Sequence, residues 1–275
     1  MPVKTEITLE QPKVNGSELK YRKLLVGMIE QLADEIKNRL AIYFPEKRPK
    51  ADQKLDDTFS DIERVFDTIR EEHAKDNGIV YIVGKDVIRR NDEDFLKQAT
   101  KTIGINISAN VPHFEENLSY WARSNSKMIK TVKRQYLDDI EKLVTSGFAN
   151  GLSQSDVARM INKQTGTSMN NAKRIARTEV NKLNSAYTNE RYEHLGVTKA
   201  IWVTNVDGRE RACHKKLNGV EYDIKKGVNV SKYCSGESGW IFPGGDSRGA
   251  LSSAGLVINC RCRSKAVVNV SELVK

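Results

Sequence analysis

The hydrophobic rhythm of this chain changes at Gly196. Before it, apolar residues recur three and four positions apart over most of the length. After it, short apolar runs lie between stretches rich in Gly, Ser and Lys. The first pattern belongs to helices with one buried face, and the second to short strands joined by turns. The chain is thereby limited to an α+β fold, with a mainly helical N-terminal part and a small, loop-rich α+β module at the C-terminal end.

Residues 1–16 lack a helical period and are expected as an extended arm. Ser17 can cap a helix that runs to about Phe44 and stops at Pro45, with Leu25, Met28, Ile29, Leu32, Ile36, Leu40 and Tyr43 on one stripe. A polar linker follows over residues 46–53. Leu55, Phe59, Ile62, Phe66 and Ile69 then mark a second amphipathic helix, ending near Asn77 and Gly78. The apolar run 79–83 is expected as strand or turn, residues 92–102 as a third helix and 106–112 as a loop. A long helix is expected from about residue 113 to 150. Ser153 and Asp156 resemble a capping box in which Asp replaces the usual Glu or Gln. The short helix that follows is expected to stop at Gly166, and Ser168 to cap a last one reaching His194. The expected organisation is an arm (1–16), a helical region (17–112), a long-helix region (113–195) and the α+β module (196–275).

Chemistry concentrates in residues 207–263, whose two ends hold three of the four cysteines. Cys213 stands beside His214, and Cys260 and Cys262 form a Cys-x-Cys. Two thiolates so spaced can reach one ion, and a distant histidine can complete the face, so His214, Cys260 and Cys262 are the leading ligand candidates and zinc the ion they would take. Cys213 or Cys234 could add a fourth ligand, although binding through the adjacent Cys213 and His214 together would strain the backbone. The alternative is a buried, reduced cysteine pair with a hydrogen-bonded histidine. Asp207 with Gly208 reads as a turn, with Arg209 and Arg211 pairing with local carboxylates or carbonyls. Asn218 and Gly219 read as a hairpin-type turn, and Asn259 as fixing loop geometry through its amide.

The run Asp207-x-Arg209-x-Arg211-x-x-His214-x-x-Leu217-Asn218-Gly219, then Phe242-Pro243-Gly244, then Ile258-Asn259-Cys260-Arg261-Cys262, resembles the phage Mu F-like head morphogenesis family. The segment Arg174-Ile175-Ala176-Arg177-Thr178-Glu179 fits the same family, as does Leu195-Gly196-Val197 ahead of Trp202. The resemblance covers roughly residues 152–268. It implies a minor head protein of a tailed phage that acts in procapsid assembly. The implied partners are portal protein or capsid and scaffold proteins, together with packaged double-stranded DNA. The implied location is the virion, and the host cytoplasm during assembly. In the cysteine-bearing form of the family, a Cys-x-x-Cys pair precedes the Leu-Asp/Asn-Gly turn; those positions here are Arg211 and His214.

Net charge is +9 and unevenly placed. Residues 1–122 hold 19 basic and 22 acidic side chains, and residues 123–275 hold 26 and 14. A basic C-terminal half can attract nucleic acid. Lys130, Lys133 and Arg134 form one helical stripe, and Lys173, Arg174, Arg177 and Lys182 another. Such stripes can track phosphates without reading sequence, or can be solvated helix surface. No enzyme is expected: the chain has no Gly-x-Ser-x-Gly, no Walker loop and no His-Glu-x-x-His. A metal-dependent nuclease using His214 is the enzymatic alternative, but a second catalytic histidine is missing; a DNA-binding adaptor is another. No run of 18 apolar residues exists, so no membrane span is expected. The first residues lack an apolar signal core. Four cysteines in a chain this long do not make a disulfide scaffold, and a reducing compartment is expected.

Overall fold

The computed structural model describes residues 6–44, 55–74, 78–104, 111, 114–234 and 251–269. The expected linker over 46–53, nearly all of the 106–112 loop and the 242–244 segment fall outside them. The chain begins with strand β1 (Glu6–Glu10) and helix α1 (Asn15–Leu40), which tightens into a 3-10 turn over Ala41–Tyr43. Helices α2 (Leu55–Glu72), α3 (Ile79–Ile103), α4 (Phe114–Ala149) and α5 (Gln154–His194) follow. The C-terminal module contains β2 (Lys199–Val203), α6 (Ala212–Leu217), β3 (Glu221–Asp223), β4 (Val228–Asn229), α7 (Ser231–Cys234), β5 (Leu251–Ser252) and β6 (Arg263–Asn269). The α+β class, helical toward the N-terminus, holds.

The chain forms two compact units, each discontinuous in sequence. One comprises Met1–Lys20, Tyr81–Ala122 and Ile175–Lys275; the other comprises Tyr21–Val80 and Arg123–Arg174. The four consecutive stretches read from the sequence run across these units.

The second unit is all-helical. Ile29, Leu32, Ile36 and Leu40 of α1 meet Ile62, Phe66 and Ile69 of α2, and Tyr136, Ile140 and Val144 of α4. The three-and-four spacing of these residues gives each helix one apolar face, and burying each large side chain contributes about 1.5–3 kcal/mol. Phe148 meets the edges of Phe44 and Phe59 at 5.9 and 5.2 Å between ring centroids. Within this unit α5 continues through Gly166, so the expected break there is wrong. Ser153 and Asp156 do start the helix as a reciprocal box: the Asp156 N–H donates to Ser153 Oγ and the Ser153 N–H to Asp156 Oδ2. Buried Val157, Ile161 and Thr165 then anchor the turns before Gly166, and Thr165 Oγ1 bonds the Tyr136 hydroxyl at 2.8 Å. Tertiary burial of this kind outweighs the cost of about 1 kcal/mol that a glycine imposes in a helix.

In the first unit, an antiparallel sheet in the order β1-β6-β2-β3 covers a core that includes Leu9, Phe95, Tyr192, Trp202 and Val268. The alternation along β6 is strict, with Ser264, Ala266 and Val268 buried. The Tyr222 hydroxyl meets Ser264 Oγ at 2.6 Å, which satisfies the one polar side chain on that face. The expected arm contains β1, which pairs with β6 from Glu6↔Asn269 to Glu10↔Lys265. Gln11 extends the clamp: its N–H donates to the Ser264 carbonyl, and its Oε1 accepts the Ser264 N–H. The run 79–83 is the start of α3 and not a strand, because Val83, Val87, Asn91, Phe95 and Ala99 continue one buried ladder at i, i+4 spacing. Asn91 is tolerated on it because its amide donates to Asn184 Oδ1 and Thr188 Oγ1. Ser17 lies inside α1 rather than capping it, since its hydroxyl donates to Asp86 Oδ2 at 2.7 Å.

Candidate metal centre

Two short pieces of the first unit build the centre. After β2 the chain turns at Asp207-Gly208 and enters α6, whose buried side carries Cys213, His214 and Leu217. Ahead of β6, the loop 257–262 turns with the Cys260 N–H bonded to the Val257 carbonyl, and presents Cys260 and Cys262. His214 Nδ1 lies 3.6 Å from Cys260 Sγ and 3.3 Å from Cys262 Sγ. All three residues are buried, and their ligand atoms lie within 4.8 Å of one another. Cys213 is not in this group; it is buried in the apolar core, as are Cys234 and Leu217.

The two thiols differ in acidity. The hydrogen bond from Cys262 holds Cys260 well below the ordinary thiol range, and His214 acts in the same direction against burial. The same bond, reinforced by burial, pushes Cys262 up, while Trp202 and Thr204 work to lower it. The indole Nε1 of Trp202 is buried. The ring itself packs edge-on against His214, 5.9 Å between centroids.

Helix α5 holds the cysteine loop in place. Asn181 Nδ2 donates to the Cys260 carbonyl at 2.6 Å, and the Asn259 N–H donates to Thr178 Oγ1 at 2.9 Å. Arg177 donates to Asn259 Oδ1 and pairs with Glu18 Oε1, both at 3.1 Å. Asn259 has φ +55°, the left-handed conformation that Asn adopts more readily than most side chains. From the other side, Arg211 donates to the Ile258 carbonyl at 3.0 Å. His214 is fixed through its backbone, since its carbonyl accepts from Thr204 Oγ1 at 2.8 Å.

Asp207 organises the rim. Its carboxylate accepts the Arg209 N–H and guanidinium and both terminal nitrogens of Arg261. Desolvation opposes its ionisation, but Arg261 and Arg209 outweigh that and hold its pKa down at about 2. Asn218 and Gly219 do not join two strands. They end α6, with Gly219 at φ +84° and Asn218 Oδ1 accepting the Thr204 N–H at 2.9 Å, so the hairpin reading is replaced by a helix-to-strand turn. A cavity of about 70 Å³ opens beside the cluster, lined by His214, Cys260, Cys262, Arg209, Arg211 and Glu210 among others. The Glu210 side chain is only 6% exposed, and its Oε2 has no hydrogen-bond partner among the described residues.

The basic stripes divide. Lys182 is paired with Glu179 at 2.8 Å, and Arg177 is engaged as above. Lys130 and Arg134 are exposed, Arg174 is exposed and donates to Asn171 Oδ1 at 2.6 Å, Lys173 is half-buried, and Lys133 donates to the His73 carbonyl at 3.2 Å. Thr178, Asn181 and Thr204 position the cluster's backbone, Trp202 packs on His214 and Glu210 lines the cavity, roles that the sequence reading did not assign. For the α5 residues the available signal was their spacing, one helix face turned toward a single loop.

Against known proteins, residues 138–265 match the family model described as phage Mu protein F like protein, so this segment is phage Mu F-like. It takes in α5, the whole cysteine-bearing centre and the start of β6. An uncharacterized protein of Haemophilus influenzae is 28% identical over 174 residues, which are 62% of this chain and 34% of that protein. A protein of Enterococcus faecalis named NAD(+)–arginine ADP-ribosyltransferase EFV is 32% identical over 143 residues, 49% of this chain and 27% of that one. The chain thus spans about a third or less of the length of these relatives. No solved structure matches.

Proposed function

We propose that the chain acts in phage head morphogenesis as a minor head protein, by binding and not by turnover. The observation that carries this reading is the phage Mu F-like match over residues 138–265, which coincides with the part of the fold that builds the cysteine-bearing centre. A docking role asks for a rigid, shaped surface. Here the Asp207 rim and the α5 clamp fix the loops through hydrogen bonds and ion pairs. The partners proposed are portal protein or capsid and scaffold subunits. No helix among the described residues is long and apolar enough to cross a membrane.

Packaged double-stranded DNA is proposed as a further contact, through exposed Lys130, Arg134 and Arg174 with neighbouring Lys173. Arg177 and Lys182 are left to their intramolecular partners. Phosphate contacts release counterions, so binding of the full chain to a labelled duplex should weaken steeply with salt. Binding that is absent or insensitive to salt removes DNA from the reading. Head assembly is tested by tracking the full chain through purified procapsids and mature particles by mass spectrometry. A defined copy number in procapsids is expected, and absence from every assembly intermediate overturns the proposal.

A further inference from the structure

We propose that His214 Nδ1 and the sulfurs of Cys260 and Cys262 bind one zinc ion, with the fourth coordination position open to the cavity that Glu210 lines. This goes beyond the head-morphogenesis reading and stands without it.

The geometry carries the argument in three steps. Zinc–sulfur and zinc–nitrogen bonds of about 2.3 and 2.0–2.1 Å in a tetrahedron place a nitrogen and a sulfur ligand roughly 3.5 Å apart. The two such separations here are 3.6 and 3.3 Å. A pure hydrogen-bond account of the same contacts falls short, because Nδ1 carries either one proton or one lone pair in the ring plane and can serve one sulfur well, not two. A cation at the focus of the three atoms serves all of them at once.

Two buried polar groups outside the triad point to the same place. Trp202 is buried and its indole acts on Cys262 in favour of the thiolate, as an N–H does toward a sulfur that has given up its proton to a metal. The Glu210 carboxylate pairs with Lys215 through Oε1 at 3.5 Å, but its Oε2 is buried with no hydrogen-bond partner among the described residues, and the side chain lines the cavity next to the cluster without belonging to it. An unpaired carboxylate oxygen costs free energy unless something polar occupies that space, and a water on the fourth position would supply it. Arg211, two residues before Cys213, reaches across to the Ile258 carbonyl and adds no ligand atom. Among the described residues, the chain therefore provides three donors and an open position. The donor set, one imidazole and two thiolates, suits zinc and not magnesium or calcium, which take oxygen ligands.

The test uses the full reduced chain, stripped of metal with a chelator and titrated with cobalt(II) and then zinc(II). One equivalent of cobalt should bind with a thiolate-to-cobalt charge-transfer band, and zinc should displace it. Cys260→Ser, Cys262→Ser and His214→Ala should each lose the one-equivalent endpoint. Cys213→Ser and Cys234→Ser should keep it, and Glu210→Gln should keep the stoichiometry. Absence of the charge-transfer band in the folded, reduced wild-type chain overturns the proposal by itself, even if the cysteine variants fail to fold. So does a band that survives Cys260→Ser or is lost with Cys213→Ser.

Discussion

Replacing Arg191 by methionine should destabilise the first unit by about 3 kcal/mol at pH 8, and by less at pH 5. The Arg191 side chain is 2% exposed. Its guanidinium pairs with Asp92, donates to Asn91 Oδ1 at 2.5 Å, and lies 4.4 and 4.7 Å from the ring centroids of Phe95 and Tyr187. Removing one partner of a buried ion pair costs about 3–5 kcal/mol, whereas an exposed pair is worth under about 1. Asp92 retains 30% exposure and can recruit water when its partner leaves, which places the loss at the low end. Methionine fills most of the volume and recovers part of the aromatic contact. The pH sign follows from Asp92. Burial raises its pKa above the ordinary value, against the Tyr187 hydroxyl and Arg191. A carboxyl with a raised folded pKa costs stability while ionised, and the cost disappears as pH falls through that pKa. Without Arg191 the pKa rises further, so the variant's deficit is full at pH 8 and shrinks toward pH 5. Urea unfolding followed by tryptophan fluorescence reports this, since Trp121 and Trp202 lie in the same unit as Arg191. A deficit below about 1 kcal/mol, or one equal at the two pH values, would refute the buried-pair argument.

Gly166→Ala should stabilise the second unit by about 0.5–1 kcal/mol, because the position is helical and an added Cβ meets nothing within 4 Å. A loss in urea unfolding would mean that α5 is broken there after all. Gly255→Ala should cost about 2 kcal/mol or more, since φ is +87° and the new Cβ would stand 2.1 Å from Ser185 Oγ. Adding Ser185→Ala should recover only part of it, because the backbone strain stays and Gln11 Nε2 loses the hydroxyl it donates to at 3.0 Å; full recovery in the same unfolding assay would show that φ carries no cost.

The parts of the fold legible in the sequence were those where one local pattern decides the outcome. Long stripes gave α2 and α4, and the short apolar runs after Gly196 gave β2 and β6. The errors arose where tertiary contact overrides a local cue. A five-residue apolar run fits a strand or one turn of helix equally well. Residues 79–83 became helix because Val83 begins a ladder that ends at Ala99, sixteen residues on. Gly166 is a reasonable stop signal on propensity, but burial of Thr165 against Tyr136 carries the helix through it. The strand in the arm had no local signal, because its partner, β6, lies more than 250 residues away.

The centre divides along the same line. Residue types announced His214, Cys260 and Cys262, because buried soft ligands are chemically distinctive wherever they occur. Which cysteine stays out was a matter of geometry: on a helix as short as α6, Cys213 and His214 point about 100° apart, so one faces the cluster and the other the core. The α5 basic face illustrates the harder case. Arg174, Arg177 and Asn181 share a stripe that reads equally as a phosphate track, and nothing local separates the readings. The separation comes from a loop some 80 residues later whose Asn259 side chain, Asn259 N–H and Cys260 carbonyl meet Arg177, Thr178 and Asn181 in turn. A polar helix face whose side chains are each taken by one loop's backbone and amide groups serves to hold that loop. A face left to solvent, as at Lys130 and Arg134, is free to bind something else.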